Sequence, residues 1–166
     1  MDSSRTSQNG WPIAEGSLDE KTAEITRRAW RELGFWYDCD VDGKRWVFRA
    51  DRKGVAAFAA EVRRFLDSAE CNEVGEHAHL GPFSNLRLIR AEAPAVGWRG
   101  IAGRRENFEE LARELDQLAG DSVAGNHSLA AGLANGDSYR LVLVLEEDGF
   151  DPATADRGMP SDSGST

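Results

Sequence analysis

The amino-acid sequence predicts an α+β fold, a ferredoxin-like split βαβ sandwich with an extra N-terminal helix and strand. Segments with helical periodicity alternate with short runs that are typical of strands. The second helical segment and the strands around it resemble the third helical segment and its surroundings, which indicates that a βαβ unit occurs twice. After the opening helix and strand, the predicted order is therefore β-α-β-β-α-β, the order of a ferredoxin-like sandwich.

Length and composition predict one domain between two tails. The chain has 166 residues, of which 40% are hydrophobic, and this is enough for a single core. Residues 1–16 and 151–166 are mostly small and polar, so both are predicted to be disordered tails of a domain at 17–150. The most apolar run, 141–145, is far shorter than the roughly 20 residues that span a bilayer. No signal peptide is recognisable, so a cytoplasmic protein without a membrane segment is expected.

The first predicted helix and hairpin occupy residues 17–50. Ser17 and Glu20 form a capping-box pattern at the start of the helix, and Gly34 supplies its stop. Strands are expected near 35–39 and 45–50, because the Asp-Gly pair between them is a strong hairpin signal. The residues at helical spacing that are expected to form the buried face of this helix are Leu18, Ile25, Ala29 and Leu33.

The second half of the predicted domain contains two helices and three strands. An amphipathic helix is expected at about 53–69, followed by strands at 85–91 and 96–101 that can pair as a hairpin. The third helix ends at Gly120, and the unbroken apolar strand at 141–145 is typical of one buried on both faces. At an offset of fifty residues the second helix matches the third, which pairs Phe58 with Phe108. The apolar residues of the third helix are Phe108, Leu111, Ala112, Leu115 and Leu118.

The charge of the chain favours a protein partner. A formal net charge of -9 repels polyanions, so nucleic acid is not expected to bind. The same field favours encounter with a basic protein. Aromatic side chains are enriched in interface hot spots, and an acidic run can meet a basic surface, although such a run is also typical of a solvated strand end. The candidate partner-binding residues are Trp36, Asp38, Asp40, Glu146, Glu147 and Asp148.

A possible metal site is indicated by the segment Glu76-His77-Ala78-His79. In an extended chain His77 and His79 lie on the same side, and neutral imidazole is a common zinc ligand. A catalytic zinc site needs a third protein ligand, which the spacing does not select among His127, the cysteines and the carboxylates. The alternative is that both histidines lie at an ordinary strand entrance before the Gly-Pro turn. No cofactor other than zinc is indicated.

The two cysteines and the missing enzyme motifs narrow the functional classes. Cys39 and Cys71 are too few for a disulfide framework, so reduced thiols are expected, with a single bridge as the alternative. The sequence contains none of the nucleophile-elbow, phosphate-loop, zinc-protease or dinucleotide-binding motifs. A non-catalytic protein is therefore favoured over an enzyme.

Residues 54–119 resemble small bacterial proteins, some of which are classed as immunity proteins of polymorphic toxin systems. The resemblance rests on the helix GVAAFAAEVRRFLDSAE, the turn H-x-H-L-G-P-F and the strand after it. It implies a compact intracellular antidote that binds one toxin and blocks it without catalysis. It supplies no functional residues to carry over.

Three functional hypotheses follow from these observations. The first is a binding protein of the immunity type whose acidic surface meets a basic toxin. The second is a small metal-assisted hydrolase in which His77 and His79 hold the ion and Glu76 acts as general base. The third is a structural or regulatory homodimer that pairs through a sheet edge.

Overall fold

A computed structural model describes residues 5–6, 12–13, 19–82, 85–121, 123–129 and 138–157. Within these ranges the helices are α1 (Glu20–Leu33), α2 (Arg52–Asp67) and α3 (Arg105–Asp121), and none is long and apolar enough to cross a bilayer. Two 3-10 turns span Ala69–Cys71 and Pro152–Ala155. The strands are β1 (Arg5–Thr6), β2 (Pro12–Ile13), β3 (Trp36–Asp40), β4 (Arg45–Ala50), β5 (His77–Leu80), β6 (Leu86–Arg90), β7 (Ala95–Gly97), β8 (Gly100–Gly103), β9 (Gly125–Leu129) and β10 (Arg140–Leu145).

Helix α1 is capped at both ends by its own sequence. The Asp19 carboxylate accepts the amide N–H of Thr22 at 2.7 Å, which satisfies one of the free donors of the first turn. Gly34 ends the helix with a φ of 93°, and the predicted stop is confirmed. The N-cap is therefore Asp19, and not Ser17 as the capping-box pattern predicts, and Ser17 itself lies outside the described residues.

The buried face of α1 differs from the predicted one. Ile25 is 58% exposed, whereas Ala23, Thr26 and Trp30 are buried. Trp30 carries the largest apolar surface of the helix and packs edge-on against the Tyr37 ring at 5.2 Å. Burying this indole stabilises the fold more than burying Ile25 can, so Trp30 decides which face turns inward.

The first hairpin is confirmed. Strands β3 and β4 pair antiparallel, with Tyr37 opposite Phe48 and Cys39 opposite Trp46. The turn between them is closed by Asp40, whose carboxylate accepts the Gly43 amide at 2.9 Å. Alternate residues of both strands face the core, as the apolar pattern of the two segments requires.

The longer strands form two mixed sheets of four strands each. The first sheet has the order β3-β4-β10-β9, and its central strands β4 and β10 are parallel. The second sheet has the order β5-β6-β8-β7, and its central strands β6 and β8 are parallel. The α+β class is therefore confirmed. The ferredoxin-like sandwich is not confirmed, because the strands divide between two sheets.

The two sheets arise from an internal repeat. A hairpin, a helix and a second hairpin occur once as β3-β4-α2-β5-β6 and again as β7-β8-α3-β9-β10. Each sheet joins the first hairpin of one repeat to the last hairpin of the other. The helices follow strands that end at Ala50 and Gly103, so Val55 in α2 corresponds to Phe108 in α3, and not Phe58 as the sequence alignment predicts. Val55 and Phe108 are both fully buried.

The predicted hairpin of residues 85–91 with 96–101 is wrong. Trp98 and Arg99 turn the chain between β7 and β8, so the segment predicted as one strand forms a hairpin of its own. This reversal makes β8 run parallel to β6, with Leu88 opposite Ile101. Strand β9 was not predicted, since its sequence GNHSL has no alternating apolar pattern.

Both sheets contribute to one hydrophobic core. Phe58 of α2 stacks on Phe48 of the first sheet, with ring centroids 4.7 Å apart. Two buried polar groups connect the sheets: the Trp46 indole donates to the Gly97 carbonyl at 2.8 Å, and the Tyr37 hydroxyl donates to the Leu80 carbonyl. Cys39 and Cys71 are both buried, free thiols.

The C-terminal tail is predicted to start at residue 151, but the residues directly after this position are folded. Pro152, Ala153 and Ala155 are buried in a 3-10 turn that packs against α1. The Trp30 indole donates to Asp156 at 2.8 Å. Small side chains in the sequence DPATADR gave no sign of burial, because they fit beside a large indole without forming an apolar run. Residues 158–166 lie outside the described part of the chain.

Removing residues 151–166 is expected to lower the free energy of unfolding by about 2–4 kcal/mol, because it exposes part of the core and leaves the buried Trp30 indole without its acceptor. Removing only 158–166 leaves every described contact in place and is the matched control, with an expected change below about 0.5 kcal/mol. Chemical denaturation of the three chains measures the difference. Equal stability of the two truncated chains would contradict the packing of residues 151–157.

Candidate functional site

Three predicted partner-binding residues lie on one face of β3. Trp36, Asp38 and Asp40 alternate with Tyr37 and Cys39, which face the core. Residues two apart in a strand share a face, so Trp36, Asp38 and Asp40 lie together on the outer face of the first sheet. All three are half-buried. Among the described strands, β3 is also an edge strand of its sheet.

Two ion pairs lie on the same outer face. The Arg45 Nε is 2.9 Å from the Asp40 carboxylate, in a pair of directly opposed residues. Arg49 stands opposite Trp36, and its guanidinium is 2.9 Å from the Glu146 carboxylate. Glu146, which follows β10, therefore adjoins Trp36 through Arg49. We call the surface formed by Trp36, Asp38, Asp40 and Glu146 the acidic face.

Glu147 and Asp148 follow Glu146 at the end of the acidic face. Both are exposed beyond the end of β10. Together with Glu146, Arg52, Ala124 and Leu145 they line an open cavity of about 280 Å³. The Arg52 guanidinium donates to the Gly120 carbonyl at 2.9 Å, which holds this arginine against the end of α3. The predicted acidic run therefore lines one cavity, and Glu146 connects this cavity to the acidic face.

Asp38 is the most perturbed carboxyl group of the acidic face. Its Oδ1 accepts the Cys39 amide N–H at 2.9 Å. Burial raises the pKa of Asp38 to about 6, against the effect of the Cys39 hydrogen bond, and the carboxylates of Asp156 and Asp40 add to the increase. Arg157 acts in the opposite direction. A half-buried carboxyl with a pKa this far from its usual value is a candidate functional group.

Asp40 has the opposite electrostatic environment. The Gly43 amide and then the Arg45 side chain donate hydrogen bonds to its carboxylate, and both lower the pKa of Asp40. Asp38 and Asp40 therefore differ in the pH at which they carry charge, although they share a face.

The Asp38 carboxylate also modifies the outer edge of β3. Because the Cys39 amide donates to this side chain, it is not a free donor for a strand of another molecule. An open strand edge invites pairing between chains, and charged side chains placed on the edge oppose it. For another protein molecule, contact with the side chains of the acidic face is therefore favoured over the addition of a strand to this edge.

The structure adds residues that the sequence did not indicate. Asp156 and Arg157 reach the electrostatic environment of Asp38 from the segment predicted as a tail. Arg45 and Arg49 alternate with buried residues in β4, and this alternation was the available signal for their position on the outer face. Nothing in the local sequence around Asp156 indicates its proximity to β3.

The predicted metal ligands lie on the other sheet. His77 and His79 are exposed on β5, with ring centroids 4.8 Å apart. In the part of the chain that the structure describes, no group of three or more His, Cys, Asp or Glu side chains is placed to hold a metal ion. A zinc site at His77 and His79 stays a prediction.

Comparison with known proteins gave no match: no protein-family model, curated protein or solved structure is significantly similar to this chain.

Replacement of Asp38 by asparagine is expected to change how stability depends on pH. Between pH 3.8 and about 6 the folded protein holds a proton on Asp38 that the unfolded chain has released, so the free energy of unfolding falls as pH rises through this window. Asp38→Asn keeps the acceptor for the Cys39 amide and removes the ionisation. It should stabilise the protein at pH 7 by about 1 kcal/mol, a value reduced for the partial exposure of the group.

Unfolding midpoints of both proteins, measured from pH 3.5 to 7.5, provide the test. Asp42→Asn, in the exposed hairpin turn, removes the same formal charge and serves as the control. An Asp38→Asn curve that runs parallel to that of the unmodified protein would show that Asp38 titrates as an ordinary surface carboxyl.

Proposed function

We propose that this protein is a non-catalytic binding protein of the immunity type, which holds a basic toxin against its acidic face and blocks it. The observation that carries the proposal is the arrangement of Trp36, Asp38 and Asp40 side by side on the outer face of β3. The proposed setting is the bacterial cytoplasm, where such an antidote meets its toxin.

Trp36 supplies the apolar centre of the proposed interface. Its indole is half-buried against the core, so part of the ring is held by the protein and part is available for a partner. A tryptophan fixed in this way loses little conformational entropy on binding, and interface hot spots are enriched in tryptophan.

The carboxylates around Trp36 give the proposed interface its selectivity. Asp40 and Glu146 are already held in place by Arg45 and Arg49. Asp38 lies between them, in surroundings where ionisation is unfavourable. A lysine or arginine of the partner placed against Asp38 would offset this cost, because an opposite charge nearby favours the ionised form. A neutral or acidic surface gains nothing comparable.

Net charge favours rapid encounter with such a partner. The formal charge of -9 attracts a basic protein over a distance of about one Debye length, roughly 8–10 Å at physiological salt. Fast association suits an antidote that must reach its toxin first. The association rate should therefore fall as salt concentration rises, while the dissociation rate changes less.

Trp36→Ala is expected to weaken binding of the basic partner by at least about tenfold, as loss of a hot-spot anchor does. The partner is first isolated by co-expressing the tagged chain with its genomic neighbours, and the affinity of the purified pair is then measured by calorimetry. Trp98→Ala is the matched control, since Trp98 is 51% exposed on the other sheet. Unfolding curves of both variants separate a loss of binding from a loss of folding.

Three results would contradict the proposal. The first is an affinity that Trp36→Ala leaves unchanged. The second is a chain that binds no basic neighbour and turns over a substrate alone, which would favour the hydrolase hypothesis. The third is a concentration-dependent dimer that Trp36→Ala dissociates, which would assign the acidic face to a second copy of this chain.

A further inference from the structure

The outer face of the second sheet differs in charge from the acidic face. Its strand positions alternate with the buried residues Leu86, Leu88 and Ile101. None of these outer positions holds a carboxylate, although the whole chain is strongly acidic. The outer positions are His77, His79, Arg87, Ile89, Ala95, Gly97, Gly100 and Ala102.

One row of residues across this face contains the side chains of His79 and Arg87, followed by two glycines. The strand register places His79 beside Arg87, Arg87 beside Gly100, and Gly100 beside Gly97. The two glycines leave the row without side chains on β8 and β7. At Gly97 even an added Cβ would meet no atom of the described residues within 4 Å. Gly100, directly beside Arg87, is buried, so the open position of this row is Gly97, one strand farther from Arg87.

The β7–β8 turn adds an aromatic ring and a second arginine at the same end of the sheet. Trp98 and Arg99 connect Gly97 to Gly100, so both are next to these glycines in the sequence. Trp98 is 51% exposed, and the Arg99 guanidinium lies 5.0 Å from its ring centroid. This cation-π contact holds the Arg99 side chain beside the Trp98 ring.

Arg87 is incompletely satisfied. Its Nε is shielded from solvent and has no hydrogen-bond acceptor among the described residues. The ion pairs found in those residues also do not include Arg87. A buried N–H that has lost hydration without gaining an acceptor carries a free-energy cost, which an anion beside it can offset.

We propose that His79, Arg87 and Arg99 form an oxyanion-binding site on the outer face of the second sheet, for a phosphate or carboxylate group of a small molecule. Arginine presents donors in a fork that matches the oxygens of either group. His79 contributes one N–H donor even as a neutral imidazole. The open position at Gly97 provides space for the ligand, and Trp98 follows it in the chain.

The same arrangement disfavours a metal cation at His79. The register places Arg87 directly beside this histidine, and two positive charges a few ångströms apart repel each other. Guanidinium also cannot serve as a metal ligand, because it has no acceptor lone pair. An oxyanion gains from His79 and from Arg87 together.

Titration of the full-length ¹⁵N-labelled chain with inorganic phosphate, at constant ionic strength and pH, tests the site. The expected result is a saturable shift of the Arg87 Nε–H signal and of the Gly97 and Gly100 amide signals, with no comparable shift when chloride replaces phosphate. Succinate in a parallel titration decides whether carboxylate groups bind as phosphate does. Saturation by either oxyanion supports the site.

Arg99→Gln and Arg87→Gln are each expected to weaken phosphate binding by about tenfold, the usual effect of losing one charge-assisted hydrogen bond. Arg99 is exposed, so its variant remains informative if Arg87→Gln folds poorly. Arg64→Gln, on the exposed side of α2, is the charge-matched control and should have no effect.

Non-saturable shifts, or equal losses in the Arg99 and Arg64 variants, would overturn the proposal. Trp36→Ala should leave phosphate binding unchanged, so the outcome is independent of the proposed function of the acidic face.

Discussion

The fold depends on the parallel pairing of β4 with β10 and of β6 with β8. Within each repeat the strands pair only as two-stranded hairpins. A two-stranded hairpin alone is marginally stable in water. By exchanging hairpins the two repeats build sheets of four strands, and α2 and α3 then pack against each other beside one core. The hydrogen bond from Trp46 to Gly97 and that from Tyr37 to Leu80 connect the two sheets, so neither sheet is an independent unit.

Elements determined by local sequence could be predicted, and those determined by distant pairing could not. The β3–β4 hairpin has its turn signal, and the helices have their periodicity and the Gly34 stop. The assignment of strands to two sheets depends on which hairpins meet, which no local pattern contains. The residues of β9 form a strand because they pair with β10. Their own sequence does not favour a strand. The exposure of Ile25 reflects competition with Trp30 for the same core.

The candidate site could be predicted in the same partial way. Alternation along β3 was enough to place Trp36, Asp38 and Asp40 on one face. The raised pKa of Asp38 required Asp156, which arrives from a segment without any apolar pattern. The lack of carboxylates at the outer strand positions of the second sheet was also hidden, because the net charge of -9 averages over the whole chain. The outer face of the first sheet presents carboxylates beside Arg45 and Arg49, whereas the outer strand positions of the second sheet hold histidine and arginine without a carboxylate.

The position of β10 has a consequence for synthesis of the chain on the ribosome. β4 is among the first strands to emerge, but its parallel partner β10 lies near the end of the domain, with α2, α3 and the five strands β5 to β9 between them. Contacts between such distant segments form slowly, because a long loop must close before they contribute. Until β10 has emerged, the β3–β4 hairpin has no parallel partner strand, and its aromatic side chains face an incomplete core. A nascent chain that stalls before this point exposes an unpaired strand edge, the kind of surface that chaperones shield.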